Sequence, residues 1–491
     1  MKKKKNKKIN KNKILKLIIS IFMLILSLVC FKYIYDLDIL PNKYLFLFLG
    51  VILILNIISM IFIFMKGIIT KILSGILYLL LGFISVIGIK YASNTIEYLN
   101  KGFSNDVEYT IYNVMVLKDS NYESINNLNN TDMGYLFIDI DDDRYLDLVK
   151  DKVNVNLKQL GIEELHDNLI NKEIDSIIIN EAYLDLIENE YTDFSELTKT
   201  LDTVKVEKES ENKNKETIKE LKPINIYLSG SDSRSGLVSS SSLSDVNMMV
   251  TINPYTHTVL LTNIPRDYYV QLHGTTGYKD KLTHAGIYGT DMSINTIEDL
   301  LETEIEYYVK VGFSSVIKIV DLVGGTDVYS DTAFKSHCKD GGAQSVYVKV
   351  GMNHFNGAQA LSYARERYAY NNGDIHRGQN QQQVIEAVLN KVMTNKSLLL
   401  KYDSLLNSFS ELYKTDIPKE LITLLIKQQL EDMSSWKIEK QTLTGYDGFD
   451  KTYSWPNQDL YVMIPDTNSV NDAVEKIDEI YNATKIKGDL G

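Results

Sequence analysis

The stretch PINIYLSGSDSR, residues 223–234, decides the fold of the C-terminal half of the chain. Its apolar part, Ile224–Leu228, is short and ends in a Gly/Ser-rich turn, which is typical of a buried strand. Val246–Ile252 and His257–Asn263 have the same character and are joined by a short turn. The sequence therefore predicts three consecutive strands in this region.

Helical patterns follow these strands. The sequence predicts a helix capped by Asn356, a long helix over Arg377–Met393, a strand at Trp436–Thr442 and a final helix at 469–483. Strands interleaved with helices indicate an α/β fold in which helices cover both faces of a mixed central sheet. We therefore predict an α-β-α sandwich domain over residues 223–491.

The region before this sandwich divides into two parts of different composition. Residues 103–204 mix strand-like runs with acidic amphipathic stretches, which predicts a small α/β accessory domain. Residues 205–222 are charged and almost devoid of apolar groups, which is typical of a linker or an exposed helix. A chain of 491 residues is long enough for this division into domains.

Three uncharged apolar stretches lie near the N-terminus and predict three transmembrane helices within residues 17–92. They are Leu17–Phe31, Tyr44–Met65 and Ile72–Ile89. The second is long enough to span a bilayer outright, the third is just sufficient, and flanking lysines lengthen the first. A cleaved signal peptide is the alternative for the first stretch, but no small-residue cleavage site follows it.

The distribution of lysine predicts the orientation of these helices. The tail at residues 1–16 holds nine lysines and no acid, and the second connecting loop is purely basic. The positive-inside rule then places the N-terminus in the cytoplasm and everything after residue 90 outside, in a multi-pass protein of the cell membrane. The whole chain has a net charge of −12, so the region outside is strongly acidic. An acidic body argues against nucleic acid as a partner and against a role in transcription.

Arginine is rare in this chain, and its placement indicates an anion-binding site. Only six of the 52 basic residues are arginine, and five of these fall in turns or at element ends of the sandwich domain. They are Arg234, Arg266, Arg365, Arg367 and Arg377. A guanidinium group binds phosphate or carboxylate bidentately, which lysine cannot do. Isolated surface salt bridges would explain one such arginine but not five together, so we predict a phosphorylated substrate.

Two aspartates are placed to join this site. Asp232 follows the first strand and Asp245 precedes the second, so their carboxylates converge if the strands are neighbours. Either alone reads as a turn or cap residue, but beside the arginines the pair is typical of a Mg²⁺ site on a phosphorylated substrate. His284, within KLTHA, is open to three readings: general base, substrate contact or structural histidine.

These motifs together resemble the LytR–CpsA–Psr family of Gram-positive cell-wall proteins. The resemblance rests on GSDSR (230–234), SDVNMMV (244–250), NIPRD (263–267), KLTHA (281–285), HFNGAQALSYARER (354–367) and DIHRGQNQQQ (374–383). Three membrane spans followed by a small domain are similar to the CpsA-type branch of that family.

The resemblance implies an extracytoplasmic phosphotransferase that uses Mg²⁺ or Mn²⁺. Such an enzyme moves a glycopolymer, of teichoic acid or capsule type, from an undecaprenyl-diphosphate carrier to peptidoglycan. By position, the metal-associated acids are Asp232 and Asp245, and the catalytic arginines are Arg266, Arg365 and Arg367. The expected substrate-binding residues are Arg234, Arg266, Arg365, Arg367, Arg377, Gln381, Lys281 and His284.

Two positions depart from the family pattern, because Leu243 and Asn380 stand where arginine is usual. Losing two cations is expected to weaken diphosphate binding or to indicate a different headgroup. Two alternative functions stay open at this stage. One is a polyprenyl-diphosphate hydrolase that uses water as acceptor, and the other is a non-catalytic protein that binds wall glycan or lipid.

Overall fold

The structure is a computed structural model. It describes residues 11–102, 108–136, 144–208, 218, 220–231, 241–337, 342–394, 413–432 and 434–484. Asp232 and Arg234, two of the predicted site residues, lie outside the described residues. The described parts form a helical bundle, an accessory domain and a sandwich domain, which is the α/β organisation that the sequence predicts.

The N-terminal bundle contains three helices that are long and apolar enough to cross a membrane, as predicted. They are α1 (Lys11–Leu37), α2 (Asn42–Phe64) and α3 (Ile68–Gly102). Polar side chains join the helices inside the bundle: Asn56 donates to Ser27 Oγ at 3.0 Å, and Tyr78 donates to Ser20 Oγ at 2.9 Å. Such contacts are typical of packed transmembrane helices.

The accessory domain is built on a five-stranded sheet of order β3-β2-β4-β1-β5. Its strands are β1 (Glu108–Leu117), β2 (Asp132–Leu136), β3 (Asn156–Leu160), β4 (Ser176–Asn180) and β5 (Thr198–Lys208). Its helices are α4 (Arg144–Lys150), α5 (Ile162–Ile170), α6 (Glu181–Glu190) and α7 (Phe194–Leu197). Since β5 pairs with β1 as far as Lys208, this sheet continues into the charged stretch 205–222.

The sandwich domain has a mixed six-stranded sheet of order β16-β11-β6-β7-β8-β17. The strands of the domain are β6 (Ile224–Ser231), β7 (Val246–Asn253), β8 (Thr258–Ile264), β9 (Tyr269–Val270), β10 (Asp280–Lys281), β11 (Tyr307–Gly312), β12 (Thr326–Ser330), β13 (Phe334–Lys335), β14 (Tyr347–Val348), β15 (Gly351–Phe355), β16 (Tyr413–Thr415), β17 (Lys437–Thr442), β18 (Gly445–Lys451) and β19 (Asp459–Pro465). The helices are α8 (Leu282–Ala285), α9 (Thr290–Leu301), α10 (Phe313–Leu322), α11 (Gly357–Arg365), α12 (Gly373–Thr394), α13 (Lys419–Asp432) and α14 (Thr467–Asn482).

The strand directions bring several strand ends to one edge of the sheet. β7 is antiparallel to β6 and β8, and it begins where both of those strands end: Val246 lies opposite Gly230, and Asn247 lies opposite Ile264. β11 runs parallel to β6 and ends level with it. Residues that precede β7 or follow β6, β8 and β11 therefore meet, and we call this place the site edge.

Helix α12 is held against the sheet by buried amide contacts. Gln382 donates from Nε2 to the backbone oxygens of Leu261, at 2.9 Å, and Gln441, at 2.6 Å. The helix begins at Gly373, earlier than the predicted Arg377, and carries Asp374 in its first turn, where a carboxylate stabilises the helix N-terminus.

The three parts of the molecule contact one another. The accessory domain shares a core with the sandwich domain, in which Tyr183 and Trp455 are buried, and Tyr183 donates to Tyr288 at 3.2 Å. Helix α13 contacts the end of the bundle that follows α1, where Lys427 forms an ion pair with Asp38 at 2.8 Å. The sandwich domain is thus tied to both preceding parts.

Gly378 on α12 provides a test of this packing. A Cβ added there would overlap the side-chain amide of Asn263, the penultimate residue of β8. We expect Gly378→Ala to lower the unfolding temperature by roughly 4–8 °C, because overpacking of this kind costs about 1–3 kcal/mol. Differential scanning calorimetry of the detergent-solubilised full chain measures the change.

Gly75→Ala is the matched control for this measurement. Gly75 lies inside helix α3, as Gly378 lies inside α12, and an added Cβ would meet nothing within 4 Å. We expect its unfolding temperature to stay at or slightly above that of the wild type. A Gly378→Ala protein as stable as the control would show that α12 does not rest on β8 as described.

Candidate active site

The site edge brings together a carboxylate and an arginine from adjacent strands. Asp245 directly precedes β7, and its backbone N–H donates to the carbonyl of Gly230 at the end of β6, at 2.8 Å. Arg266 follows β8 and donates from Nη1 to Asp245 Oδ1. The Nε atom of Arg266 lies 3.6 Å from Asp267 Oδ2. Asp245 and Arg266 therefore lie in contact at the site edge, as predicted.

The end of α11 supplies two more arginines. The helix ends at Arg365, whose guanidinium carbon lies 4.1 Å from the centre of the Phe313 ring, just after β11. The buried carboxylate of Glu366 accepts from the backbone N–H groups of Tyr368 and Ala369, at 2.8 and 3.2 Å, and so turns the chain. Because the helix stops there, as the sequence predicts, the two neighbouring arginines need not diverge.

Helix α12 contributes Asp374, Arg377 and Gln381. Arg377 Nη2 lies 2.7 Å from Asp374 Oδ1, and Arg377 and Gln381 are both buried on one face of the helix. The shared face is the one that their spacing predicts. From the other side, Lys281 reaches within 3.7 Å of Asp267.

The mutual influence of these charges confirms that they form one cluster. Burial would raise the pKa of Asp245, but Arg266, Arg377 and Arg365 together hold that pKa below its usual value. Burial opposes the charge of Arg266, yet three nearby carboxylates, led by Asp245, raise its pKa. Both groups are therefore ionised. Among the described residues, four arginines and Lys281 face Asp245, Asp267 and Asp374, which leaves an excess of positive charge for an anion.

Asp374 differs from the other carboxylates. Burial raises its pKa above the usual value, although Arg377 acts in the opposite direction. Its Oδ1 is engaged by the ion pair with Arg377, whereas Oδ2 has no hydrogen-bond partner. A buried carboxylate with raised pKa and one unpaired oxygen beside cations is typical of a general base. No local sequence pattern singles out Asp374, since its burial depends on tertiary packing.

The His284 side chain lies against a buried carboxylate. It is 2 % exposed, and its Nδ1 lies 2.6 Å from Asp280 Oδ1. The other carboxylate oxygen of Asp280 accepts from the backbone and the hydroxyl of Ser454, at 2.8 and 2.5 Å. Of the three readings of His284, this placement favours the structural one, whereas the ammonium group of Lys281 in the same stretch lies 3.7 Å from Asp267 in the charged cluster.

The two residues that depart from the family pattern, Leu243 and Asn380, are both buried. Leu243 is buried in the core shared with the accessory domain. Asn380 is fully buried and donates to the backbone oxygen of Tyr363 at 3.1 Å. The arginine cluster therefore assembles without a cation at either position.

The described residues include one of the two predicted metal ligands. Asp245 lies in the cluster, and no group of three His, Cys, Asp or Glu side chains suited to a metal occurs in the described part of the chain. Mg²⁺ usually keeps one or two carboxylates and takes its other ligands from water and substrate phosphates. One ionised carboxylate beside a cluster of arginines fits that donor set.

Comparison with known proteins supports the same assignment. The family model described as "LytR_cpsA_psr family" matches residues 187–479. The polyisoprenyl-teichoic acid–peptidoglycan teichoic acid transferase TagU of Bacillus cereus is 35% identical over 248 residues, which are 50% of this chain and 75% of the relative. The corresponding TagV of Bacillus subtilis is 34% identical over 227 residues, or 46% of this chain and 56% of the relative.

Solved structures also align with part of this chain. The crystal structure of B. subtilis TagV has 30% sequence identity and a TM-score of 0.45, and the alignment covers 54% of this chain and all of that one. A structure titled "TagT bound to LIIa-WTA" has 24% identity and a TM-score of 0.41, with 54% and 95% covered. The family model spans more than half of the chain, including every described site residue, and this chain belongs to the LytR_cpsA_psr family.

Proposed function

We propose that this protein is a membrane-anchored transferase. It moves a glycopolymer, of teichoic acid or capsule type, from an undecaprenyl-diphosphate carrier to peptidoglycan. The observation that carries the proposal is the convergence of Arg266, Arg365, Arg367 and Arg377 around Asp245 and Asp374 at the site edge. The names of the relatives, which are teichoic acid transferases, support the same reaction.

The proposed topology suits this substrate. The N-terminal tail lies in the cytoplasm, the three helices cross the membrane, and both folded domains lie outside, according to the distribution of lysine. A polyprenyl-diphosphate donor stays in the outer leaflet, so an anchored enzyme meets it at high local concentration. The donor's phosphoanhydride bond supplies the energy of transfer.

The arginines perform most of the chemistry by position and charge. They bind the donor's diphosphate and stabilise the negative charge that grows on the leaving polyprenyl phosphate. The acceptor hydroxyl oxygen forms a bond to the phosphorus that carries the glycan, and the bond to the bridging oxygen breaks. Polyprenyl monophosphate leaves. Asp374 takes the proton of the acceptor hydroxyl on Oδ2, since this oxygen has no hydrogen-bond partner and the pKa of the carboxyl is raised.

A divalent cation, Mg²⁺ or Mn²⁺, belongs to the proposal. Asp245, with Asp232, would hold it beside the diphosphate. When bound, it would neutralise charge on the phosphate oxygens. Asp245 retains its negative charge for this role because the arginines lower its pKa.

The first prediction of this mechanism concerns the planar guanidinium group of Arg266. Arg266→Lys keeps the charge but loses the geometry that spans Asp245 and a phosphate, so we expect kcat/KM to fall about 10²–10³-fold. Mass spectrometry of polyprenyl monophosphate release and of glycan attachment, on the full chain in nanodiscs, measures the change. Arg144→Lys, at the start of α4 in the accessory domain, is the control and should retain the wild-type rate. Equal rates for the two variants would remove Arg266 from the mechanism.

The same assay separates the transferase from its two alternatives. Release coupled to attachment establishes transfer, and release without attachment indicates a hydrolase. Binding of the donor without release indicates a non-catalytic binding protein.

A second prediction tests Asp374 as the base. Asp374→Asn should lower kcat about 10²–10⁴-fold while the donor Kd stays within about twofold, because the base acts on the acceptor. A base works only when deprotonated, so the wild-type rate should rise with pH through a pKa above the usual aspartate value, and the variant should lack that rise. Asp472→Asn, on an exposed face of α14, is the matched control. An unchanged pH profile in Asp374→Asn would contradict the assignment.

A third prediction concerns the cation. Treatment with EDTA should stop transfer, and added Mg²⁺ or Mn²⁺ should restore it, since the metal neutralises charge that the arginines leave uncompensated. Added Mg²⁺ or Mn²⁺ should not restore the transfer activity of Asp245→Asn. Full activity in EDTA would show that the basic residues alone support the reaction.

A further inference from the structure

The hairpin formed by β18 and β19 carries a pair of contacting aromatic side chains, one of which is largely exposed to solvent. Phe449 and Tyr461 lie opposite each other across the hairpin, with ring centroids 5.9 Å apart and planes at 77°. The Phe449 side chain is 72 % exposed, although burial of a ring of this size would stabilise the protein. Tyr461 donates to the exposed Asp447 at 2.7 Å. We call Phe449, Tyr461 and Asp447 the aromatic face.

The aromatic face adjoins the candidate active site. The backbone N–H of Met463 donates to the carbonyl of Asp267 at 2.7 Å, and Met463 forms a parallel bridge with Tyr268. Tyr461 lies two residues before Met463 on β19, so the two side chains are on the same face of that strand. Burial and Asp447 raise the pKa of Tyr461, and smaller effects of Asp267 and Asp374 reinforce this. The Tyr461 hydroxyl is thus within electrostatic reach of the site.

Such a combination of groups suits a sugar ring. The weakly positive C–H groups of a pyranose pack on the negative face of an aromatic ring, and a neighbouring carboxylate accepts hydrogen bonds from its hydroxyl groups. Exposed apolar groups next to a few fixed polar groups commonly mark a binding site.

The negative charge of the hairpin favours the acceptor glycan over the donor's phosphodiester polymer as its ligand. Its strands carry Asp447, Asp450 and Asp459 against one cation, Lys451. A phosphodiester polymer such as teichoic acid would be repelled from these carboxylates. A neutral glycan strand would not be.

We infer that the aromatic face is the subsite for the acceptor glycan, a neutral N-acetylated saccharide of the cell-wall type. This inference rests on the proposed function and adds the residues that hold the acceptor beside the arginine cluster. It divides the site in two, with the arginines binding the donor diphosphate and the hairpin binding the strand that receives the polymer.

Direct binding tests the inference without requiring turnover. The probe is a tetramer of N-acetylglucosamine, titrated into the full chain in nanodiscs by isothermal titration calorimetry. Phe449→Ala should raise the Kd of the tetramer about tenfold, and Asp447→Asn should raise it severalfold. Tyr446→Ala is the matched control, because Tyr446 is 62 % exposed and lies on the opposite face of the same hairpin. Its Kd should equal that of the wild type.

Transfer kinetics provide the second readout. Phe449→Ala should raise the KM for a soluble peptidoglycan oligomer and leave the Kd of the donor unchanged. Wild-type tetramer binding in Phe449→Ala, or equal loss in Tyr446→Ala, would overturn the inference. If the wild type binds the tetramer through Phe449 but never transfers polymer, the proposed function fails and the glycan subsite stands.

Discussion

The site depends on the ion pair between Arg266 and Asp245, which joins the end of β8 to the start of β7. Charges removed from water are costly unless they are paired, and here three arginines together keep Asp245 ionised. Removing either partner would upset this balance of charge at the site edge. The pair therefore joins the two strand ends and fixes the Arg266 guanidinium group beside the other arginines.

The remaining arginines reach this pair because the chain turns between the end of α11 and the start of α12. Buried Glu366 ends α11 by accepting backbone N–H groups, so that Arg365 rests on Phe313 and Arg367 lies in the following turn. Helix α12 then presents Arg377 from a surface held to the sheet by Gln382. Packed elements thus position Arg266, Arg365 and Arg377, as electrostatic catalysis requires, because a preorganised charge needs no reorganisation during the reaction.

The sequence predicted those parts of the site that depend on local signals. Strand ends, the capping by Asn356 and the end of the helix near Arg365 follow from neighbouring residues, and the structure confirms them. The role of Asp374 was not predicted, because its raised pKa comes from burial in the folded protein. His284 stayed ambiguous for the same reason, since its partner Asp280 is also held by Ser454, which follows much later in the chain. Spacing along the chain does not reveal such partners.

The accessory domain contributes to the geometry of the site through the hairpin. The turn between β18 and β19 contains Trp455, which is fully buried in the core that both domains share, 6.1 Å from the Tyr191 ring. Asn457 in the same turn donates to Glu163 of α5 at 3.0 Å. The hairpin is thus fixed at its outer end by the accessory domain and along β19 by the backbone of Asp267. Two separate attachments leave its aromatic face little freedom to rotate, so the accessory domain sets the angle at which an acceptor strand would approach the arginine cluster.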